Sequence, residues 1–506
     1  MIASRSPWIP FLVALLVYGR AVMGTFHFDD YALLVDPAIT APSGWLDCFR
    51  LEQTRPLTWL SFWANYQLGG AVAAGYLAVN VLLHAVNSWL LAQTMRRVVL
   101  PNVAFAAALL FAVHPAALEP VNYIFARAIL LATFFSLLAM RSWFGGNRWA
   151  AVAWFAAGML TKEECAALPL FLALFEISRG WNRVVVAPIA SMLGVTCAAG
   201  VRVLYVTKTV AGAGSGFGSA VTPVEYLSAQ GWAILRYWRM MTVWPFGFTI
   251  DPDFGKLHFF SASLGWVGVL AIVLAAARWF KNLQSGFWVI GSLLLFLSSS
   301  SVLPASDFVA DRRMYLPMIA VVVALAAIPR FSSGAGMTLG LCGFFAAISI
   351  WDTSFYLSEQ SLWLRAVELA PAKARPKMQL ARVSSPSEAL RLLEEAQKIV
   401  PNDPAVASEK ARVFLSMNKP ELALAEFGRA LALAPNDAMA IANRGSALAM
   451  LGQKDAARLD FERALRFDPC QFDARYNLKL LGIQADSPAA RCRWNQDQLQ
   501  KLGVPR

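Results

Sequence analysis

The sequence predicts an all-α protein in two parts: a polytopic membrane helical bundle over residues 1–351 and a tetratricopeptide-repeat α-solenoid over residues 352–506. Three observations carry that expectation. Of 506 residues, 58% are hydrophobic and only 15% are charged, and the mean hydropathy of +0.50 excludes an ordinary soluble protein. The apolar runs stop near Trp351. Beyond it, Arg429-Ala430-Leu431 with Pro435 recurs as Arg463-Ala464-Leu465 with Pro469, 34 positions on, which is the tetratricopeptide spacing.

In chain order, the segment Trp8 to Met23 lacks a small-residue cleavage site and many apolar runs follow it, so it reads as an uncleaved first span. Further candidates lie near 74–94, 101–114, 127–143, 149–161, 165–178, 184–206, 262–278, 287–303, 315–329 and 336–351, giving about eleven spans, several of them short for a bilayer. Loop cations fall at every second loop: Arg5, Arg96 with Arg97, Arg141 with Arg148, Arg179 with Arg183, Arg278 with Lys281, and Arg330. They mark the cytoplasmic side. By parity the Asp29-Asp30 loop, the stretch His114 to Arg127, the Lys162-Glu163 turn, segment 207–260, the stretch Asp307 to Arg313 and the C-terminal region share the opposite face. Segment 226–244 is apolar enough to span, yet burying Arg236 and Arg239 in hydrocarbon would cost several kcal/mol. It is read as a re-entrant or interface-lying helix. The net charge of +12 is explained by these anchors and implies no nucleic-acid partner.

In the second part, Pro401 precedes Pro435 by the same 34-residue step, and Arg365-Ala366-Val367 with Pro371 is a degenerate earlier unit. Stacked helix pairs form a concave groove. Asn443 and Asn477 occupy equivalent positions of successive repeats, where each amide offers the donor and acceptor that an extended peptide backbone requires. The plainer reading is two asparagines tolerated at a polar helix position.

Chemistry-bearing residues concentrate in a few motifs. Asp29 and Asp30 follow Phe26-His27-Phe28, and adjacent carboxylates repel, so such a pair can take a proton or hold a cation. A turn or helix end would also accommodate them. Four further groups stand on the same face: His114-Pro115 with Glu119, Asn122 and Arg127; Lys162-Glu163-Glu164; Arg55 in Arg55-Pro56-Leu57-Thr58; and Asp311-Arg312-Arg313 before Tyr315-Leu316-Pro317. Singly each resembles a snorkelling anchor or an ion pair; together they outline an anion site beside a base. Gly212 to Gly218 lacks the Lys-Ser or Lys-Thr step of a phosphate loop and reads as a flexible outer loop. His84, with Asn80 and Asn87, reads as interhelical hydrogen bonding. Cys165, Cys197 and Cys342 read as small hydrophobes, whereas Cys48, Cys470 and Cys492 face an oxidising compartment where Cys470 could pair with Cys492.

The order FDD, RPLTWLSF, VNVLLHAVN, FAVHPAALEPVNYIFARAILLA, LTKE, DRRMYLP and a Trp351-Asp352 junction into repeats resembles the transmembrane and tetratricopeptide-repeat glycosyltransferases over nearly the whole chain. That family has a GT-C fold, and its animal members are protein O-mannosyltransferases. The resemblance implies a polyprenyl-phosphate sugar donor, a protein hydroxyl as acceptor and chemistry at Asp29 and Asp30. Ile129 departs from the family's acid, and Asp311 stands where relatives carry Glu. A sugar on a polyprenyl phosphate already carries a good leaving group, so the site needs cations for the phosphate, with Arg127, Lys162, Arg312 and Arg313 as candidates. It also needs a carboxylate base, Asp29 or Asp30. Arg55, His114, Glu119, Glu163 and Asp311 would support them. The runner-up arrangement places Mg²⁺ or Mn²⁺ on Asp29, Asp30, Glu119 and His27 or His114. A glycan or lipid acceptor, or a membrane-tethered scaffold without activity, are the other readings. A bacterial inner membrane with a periplasmic site is favoured over the luminal side of the endoplasmic reticulum.

Overall fold

The computed structural model describes residues 6–51, 53–209, 222–255, 259–280, 284–300, 304–305, 307–328, 335–483, 492 and 494–502. Arg5, Lys281, Arg330 and the Gly212 to Gly218 stretch lie outside them. The described residues form helices and turns, with no strand among them. Two compact units emerge. One comprises Met1–Tyr31 with Pro42–Ser358; the other comprises Ala32–Ala41 with Glu359–Arg506. The second thus includes a short N-terminal piece that a division at residue 351 leaves out. The first extends to Ser358 because the turn after Ala335–Thr353 carries Tyr356 into its interior, where that side chain is 5% exposed.

The centre of the first unit is built by Ala73–Met95, Pro101–Val113 and Tyr315–Ala326. Every side chain from Val103 to Val113 is buried, and alanines such as Ala104, Ala107 and Ala108 let neighbouring helices approach. Polar groups on these helices find partners across them. His84 Nδ1 lies 2.8 Å from the Tyr315 hydroxyl and Asn87 donates to Leu130 O at 3.0 Å, so the interhelical reading of this cluster holds.

The span count differs from expectation. Among the described residues four helices are long and apolar enough to cross a membrane: Ala73–Met95, Ile124–Phe144, Arg183–Val206 and Gly336–Leu357. A fifth results if Pro101–Val113 and Pro115–Asn122, bent by 55°, count as one. The protein is an integral membrane protein, and its described residues hold fewer full-length spans than about eleven. The physical reason is length: apolar helices such as Ser285–Phe296 have 12 residues, which at 1.5 Å per residue reach roughly 18 Å, short of a hydrocarbon core of roughly 30 Å.

All but the last two residues of segment 226–244 belong to one continuous helix, Pro223–Thr242, opened by a capping box between Thr222 and Glu225. It crosses Phe259–Ala277 at a glycine pair: a Cβ on Gly231 would meet the Gly265 carbonyl carbon at 2.6 Å, so neither position tolerates a side chain. Both ends of this helix engage loops around the charged motifs. Near its start, the Tyr226 hydroxyl donates to Ser299 O at 2.8 Å and accepts from Arg313 at 3.1 Å; near its end, Met241 O bonds His114 Nε2 at 3.0 Å. Arg236 is neutralised by Asp311 at 2.6 Å.

In the second unit, helices such as Pro404–Ser416, Pro420–Leu433, Ala438–Met450 and Lys454–Phe467 stack in the repeat order that the 34-residue period requires. Asp403 and Asp437 cap the helices that follow them. Phe427 packs on Ala411 and Ala447, and Phe461 lies against Gly445. Cys470 and Cys492 are joined in a disulfide, and Trp494 Nε1 donates to Cys470 O at 3.0 Å, tying the C-terminal segment onto the last repeat.

Candidate active site

After the helix Trp8–Tyr18 and the 3₁₀ turn Gly19–Met23, the chain turns a corner at Phe28. Its φ of 46° lies in the left-handed region, a conformation costly for a bulky residue and held by its surroundings. The corner sends the two aspartates different ways. Asp30 turns inward and is fully buried. Its Oδ2 accepts from the His27 N–H at 2.9 Å and its Oδ1 from the Phe125 N–H at 2.7 Å. Burial pushes its carboxyl up to about 8, against the pull of those N–H groups. Asp29 is exposed. Its N–H meets the Tyr123 hydroxyl at 3.3 Å, and the same hydroxyl bonds its side chain. His27 Nε2 donates to Tyr356 O at 2.8 Å, and burial pulls its imidazole down to about 4, so it is neutral.

Three of the expected cations arrive already paired, and one of them, Arg312, acts on the Tyr123 hydroxyl that meets Asp29. Arg312 bonds Glu119 twice, through its backbone N–H at 2.8 Å and its guanidinium at 2.6 Å, while its side chain stays 31% exposed. Arg55 forms a two-pronged pair with Glu163. Lys162 reaches Glu164 at 2.5 Å. Burial pulls the Lys162 ammonium down, with Glu164 opposing and with Arg55 and Arg312 adding repulsion, so these cations share one electrostatic neighbourhood. The local frame is short-range: Leu57 N and the Thr58 hydroxyl donate to Leu160 O and Thr161 O at 3.1 and 2.9 Å, holding the Arg55 and Lys162 segments together. Arg313 bonds only neutral acceptors among the contacts seen: Tyr226, Phe308 O and Asp307 O.

Three expected site residues have other tasks. Arg127 is fully buried, and its guanidinium donates to Asn80, Asn65, Ser61 O and Tyr76 O at 2.7–3.2 Å with its face on Phe62, so its donors serve the fold rather than a phosphate. His114 accepts the Ala116 N–H at Nδ1 and bonds Met241 O at Nε2, which leaves neither nitrogen for a ligand. Asp311 takes Arg236 on one oxygen and the Thr249 N–H on the other. The metal alternative does not fit either. Asp30, Glu119 and His114 have their atoms committed, and among the described residues no three His, Cys, Asp or Glu side chains gather to hold a metal ion. In the solenoid, Asn443 and Asn477 are half-buried on corresponding helices, and Asn477 Nδ2 donates to Ser446 at 3.2 Å.

Sequence reading singled out neither Tyr123 nor the Arg236–Asp311 pair. Tyr123 stands inside the quoted HPAALEPVNY run, next to Asn122, but nothing in one sequence ties it to Asp29, 94 residues away. Arg236 carried a signal, since an arginine in an apolar helix calls for a buried partner.

An integral membrane helical unit carrying a cluster of ion-paired charges of this kind, joined in one chain to a tetratricopeptide solenoid, defines the class. No family model matches the chain. Protein O-mannosyl-transferase TMTC4 of Mus musculus is 25% identical over 460 residues, covering 72% of this chain and 62% of its own length. Protein O-mannosyl-transferase F38B6.6 of Caenorhabditis elegans is 32% identical over 146 residues, and Tmtc1 of Drosophila melanogaster 45% identical over 190. These two matches cover 25% and 33% of this chain and 21% and 22% of the relatives. The chain is similar to the transmembrane and tetratricopeptide-repeat protein O-mannosyl-transferases, and it spans less than two thirds of the length of those it matches. Among solved structures, ArnT from Cupriavidus metallidurans bound to undecaprenyl phosphate shares 17% identity at a TM-score of 0.36, covering 85% of this chain and 80% of that one. The Cut9–Hcn1 hetero-tetramer of APC/C shares 12% at 0.25, covering 93% and 92%. Likenesses this slight carry no argument.

Proposed function

We propose that the protein is an inverting glycosyltransferase of GT-C type that moves a sugar from a polyprenyl-phosphate donor to a hydroxyl on a protein recruited by the tetratricopeptide unit. The observation that supports this most is the division of the aspartate pair, one carboxylate sealed by backbone N–H groups and the other exposed and bonded to Tyr123, whose hydroxyl also feels the charge of the partly exposed Arg312. Asp29 then accepts the proton of the acceptor hydroxyl as that oxygen attacks the anomeric carbon. The bond from that carbon to the phosphate oxygen breaks, and the electron pair leaves with the phosphate. Arg312 stabilises the departing charge, with Arg313, Arg55 and Lys162 around it. Attack from the face opposite the leaving group inverts the anomeric configuration. Asp30 holds the corner. The relatives' name makes mannose the first sugar to test, and the Cys470–Cys492 disulfide supports an oxidising compartment, periplasmic or luminal, for the solenoid.

The test is transfer of radiolabelled sugar from polyprenyl-phosphate donors to exported proteins by purified protein. Asp29→Asn should lower transfer by about 10²–10⁴-fold, the usual contribution of a general base. Full transfer in that variant overturns the mechanism, and no transfer by the wild type from any donor overturns the enzyme reading. Arg312→Ala should raise KM for the donor, whereas Asn443→Ala with Asn477→Ala should raise KM for the protein acceptor alone. Equal constants would remove those residues from binding.

A further inference from the structure

The Tyr123 hydroxyl meets one residue twice. Its oxygen accepts the Asp29 backbone N–H, and its proton is directed at the Asp29 side chain. The tyrosine itself has little freedom: it is 3% exposed, its carbonyl accepts from Asn80 at 3.3 Å, and Asn80 in turn receives Arg127 at 2.9 Å. A fixed chain of contacts therefore runs from the buried guanidinium to the exposed carboxylate. This gives Arg127 a part in the site without touching a ligand.

We propose that Tyr123 is the positioning residue for Asp29, locking both its backbone and its carboxylate at the corner that the left-handed φ of Phe28 makes. The inference rests on the reading of Asp29 as the base. An exposed aspartate otherwise samples several rotamers, and a hydroxyl that bonds the backbone and side chain together selects one. Donation to the ionised carboxylate also favours the charged form, which keeps the base ready at lower pH. The phenol keeps its own proton throughout, because burial first, and the nearby Asp30 and Asp29 charges second, raise it well above its usual range.

Tyr123→Phe removes the hydroxyl and little volume. The expected result is a lower kcat with donor KM little changed, and an acid limb of the pH–rate profile displaced upward by about one pH unit. Substituting 3-fluorotyrosine at 123 keeps the shape and strengthens the donor, so the limb should move the other way; this arm decides if the phenylalanine variant fails to fold or turns over too slowly to profile. An acid limb that does not move overturns the inference. Asp29→Asn serves as the separate control: undiminished transfer in that variant overturns the base assignment itself, whereas abolished transfer together with an unmoved limb overturns Tyr123 alone.

Discussion

Ion pairs run through both units, at different depths. In the membrane unit Asp311 and Glu119 are each 2% exposed and take their partners, Arg236 and Arg312, from 75 and 193 residues away. In the solenoid Arg391 pairs with Glu388, and Arg458 with Glu462, one helical turn apart and in water. The first kind assembles the site; the second decorates a helix. What separates them is desolvation: a charge sealed in protein must have its partner, whereas a solvated one already has water.

The sharpest way to break this contrast is Asp311→Ala. It strands Arg236 inside the unit and should cost about 3–5 kcal/mol, seen as a large fall in the thermal midpoint in detergent. The companion double change, Arg236→Met with Asp311→Leu, should recover much of it, since well-packed apolar pairs often replace buried ion pairs without loss. A single variant as stable as the wild type would show that water reaches Arg236.

Packing should govern the contact between neighbouring helices at Gly445. A Cβ added at Gly445 would come within 2.8 Å of the Phe461 ring, with Ala457 O at 3.2 Å behind it. Gly445→Ala should therefore cost about 1–3 kcal/mol through overpacking, measured by denaturant unfolding. An unchanged midpoint would mean the repeat pair opens freely to admit the methyl.

The same contrast explains what one sequence reveals. The solenoid was legible because each repeat rests on local contacts at fixed offsets: Pro435 and Pro469 mark helix ends, and Asn443 and Asn477 fall on equivalent helices. In the membrane unit, the FDD corner and the Arg55, Lys162 and Asp311-Arg312-Arg313 motifs were legible as a set, because charge beside long apolar runs is costly. Their division of labour was not. That Asp30 is sealed depends on the Phe125 N–H, and that Asp29 faces out depends on the left-handed φ at Phe28. Arg127 looked like a phosphate ligand because its cage of Asn65, Asn80, Ser61 and Tyr76 comes from two other helices.

Asp30 offers a test intermediate in size. Its carboxyl rises from 3.8 to about 8 on folding, so the folded chain holds a proton that the unfolded chain releases. That contribution is fully present below pH 3.8 and is lost progressively as pH rises towards 8, with a slope of at most about 1.4 kcal/mol per pH unit. Asp30→Asn cannot accept both N–H bonds and starts from lower stability, but the slope between those values should flatten. Equal slopes in both proteins would assign the pH dependence elsewhere.

The smallest effect belongs to the solvated pairs. Arg391 reaches both Glu388 and Glu395 and looks in its contacts as well connected as Arg312. Yet its side chain is 57% exposed, and holding three long side chains in one geometry opposes the modest attraction left in water. Arg391→Ala should leave the unfolding midpoint unchanged within error at physiological salt, with any difference confined to low ionic strength, where screening is weakest. A clear drop at physiological salt would mean that the three side chains act as a network, and the distinction drawn between sealed and solvated pairs would then rest on geometry more than on water.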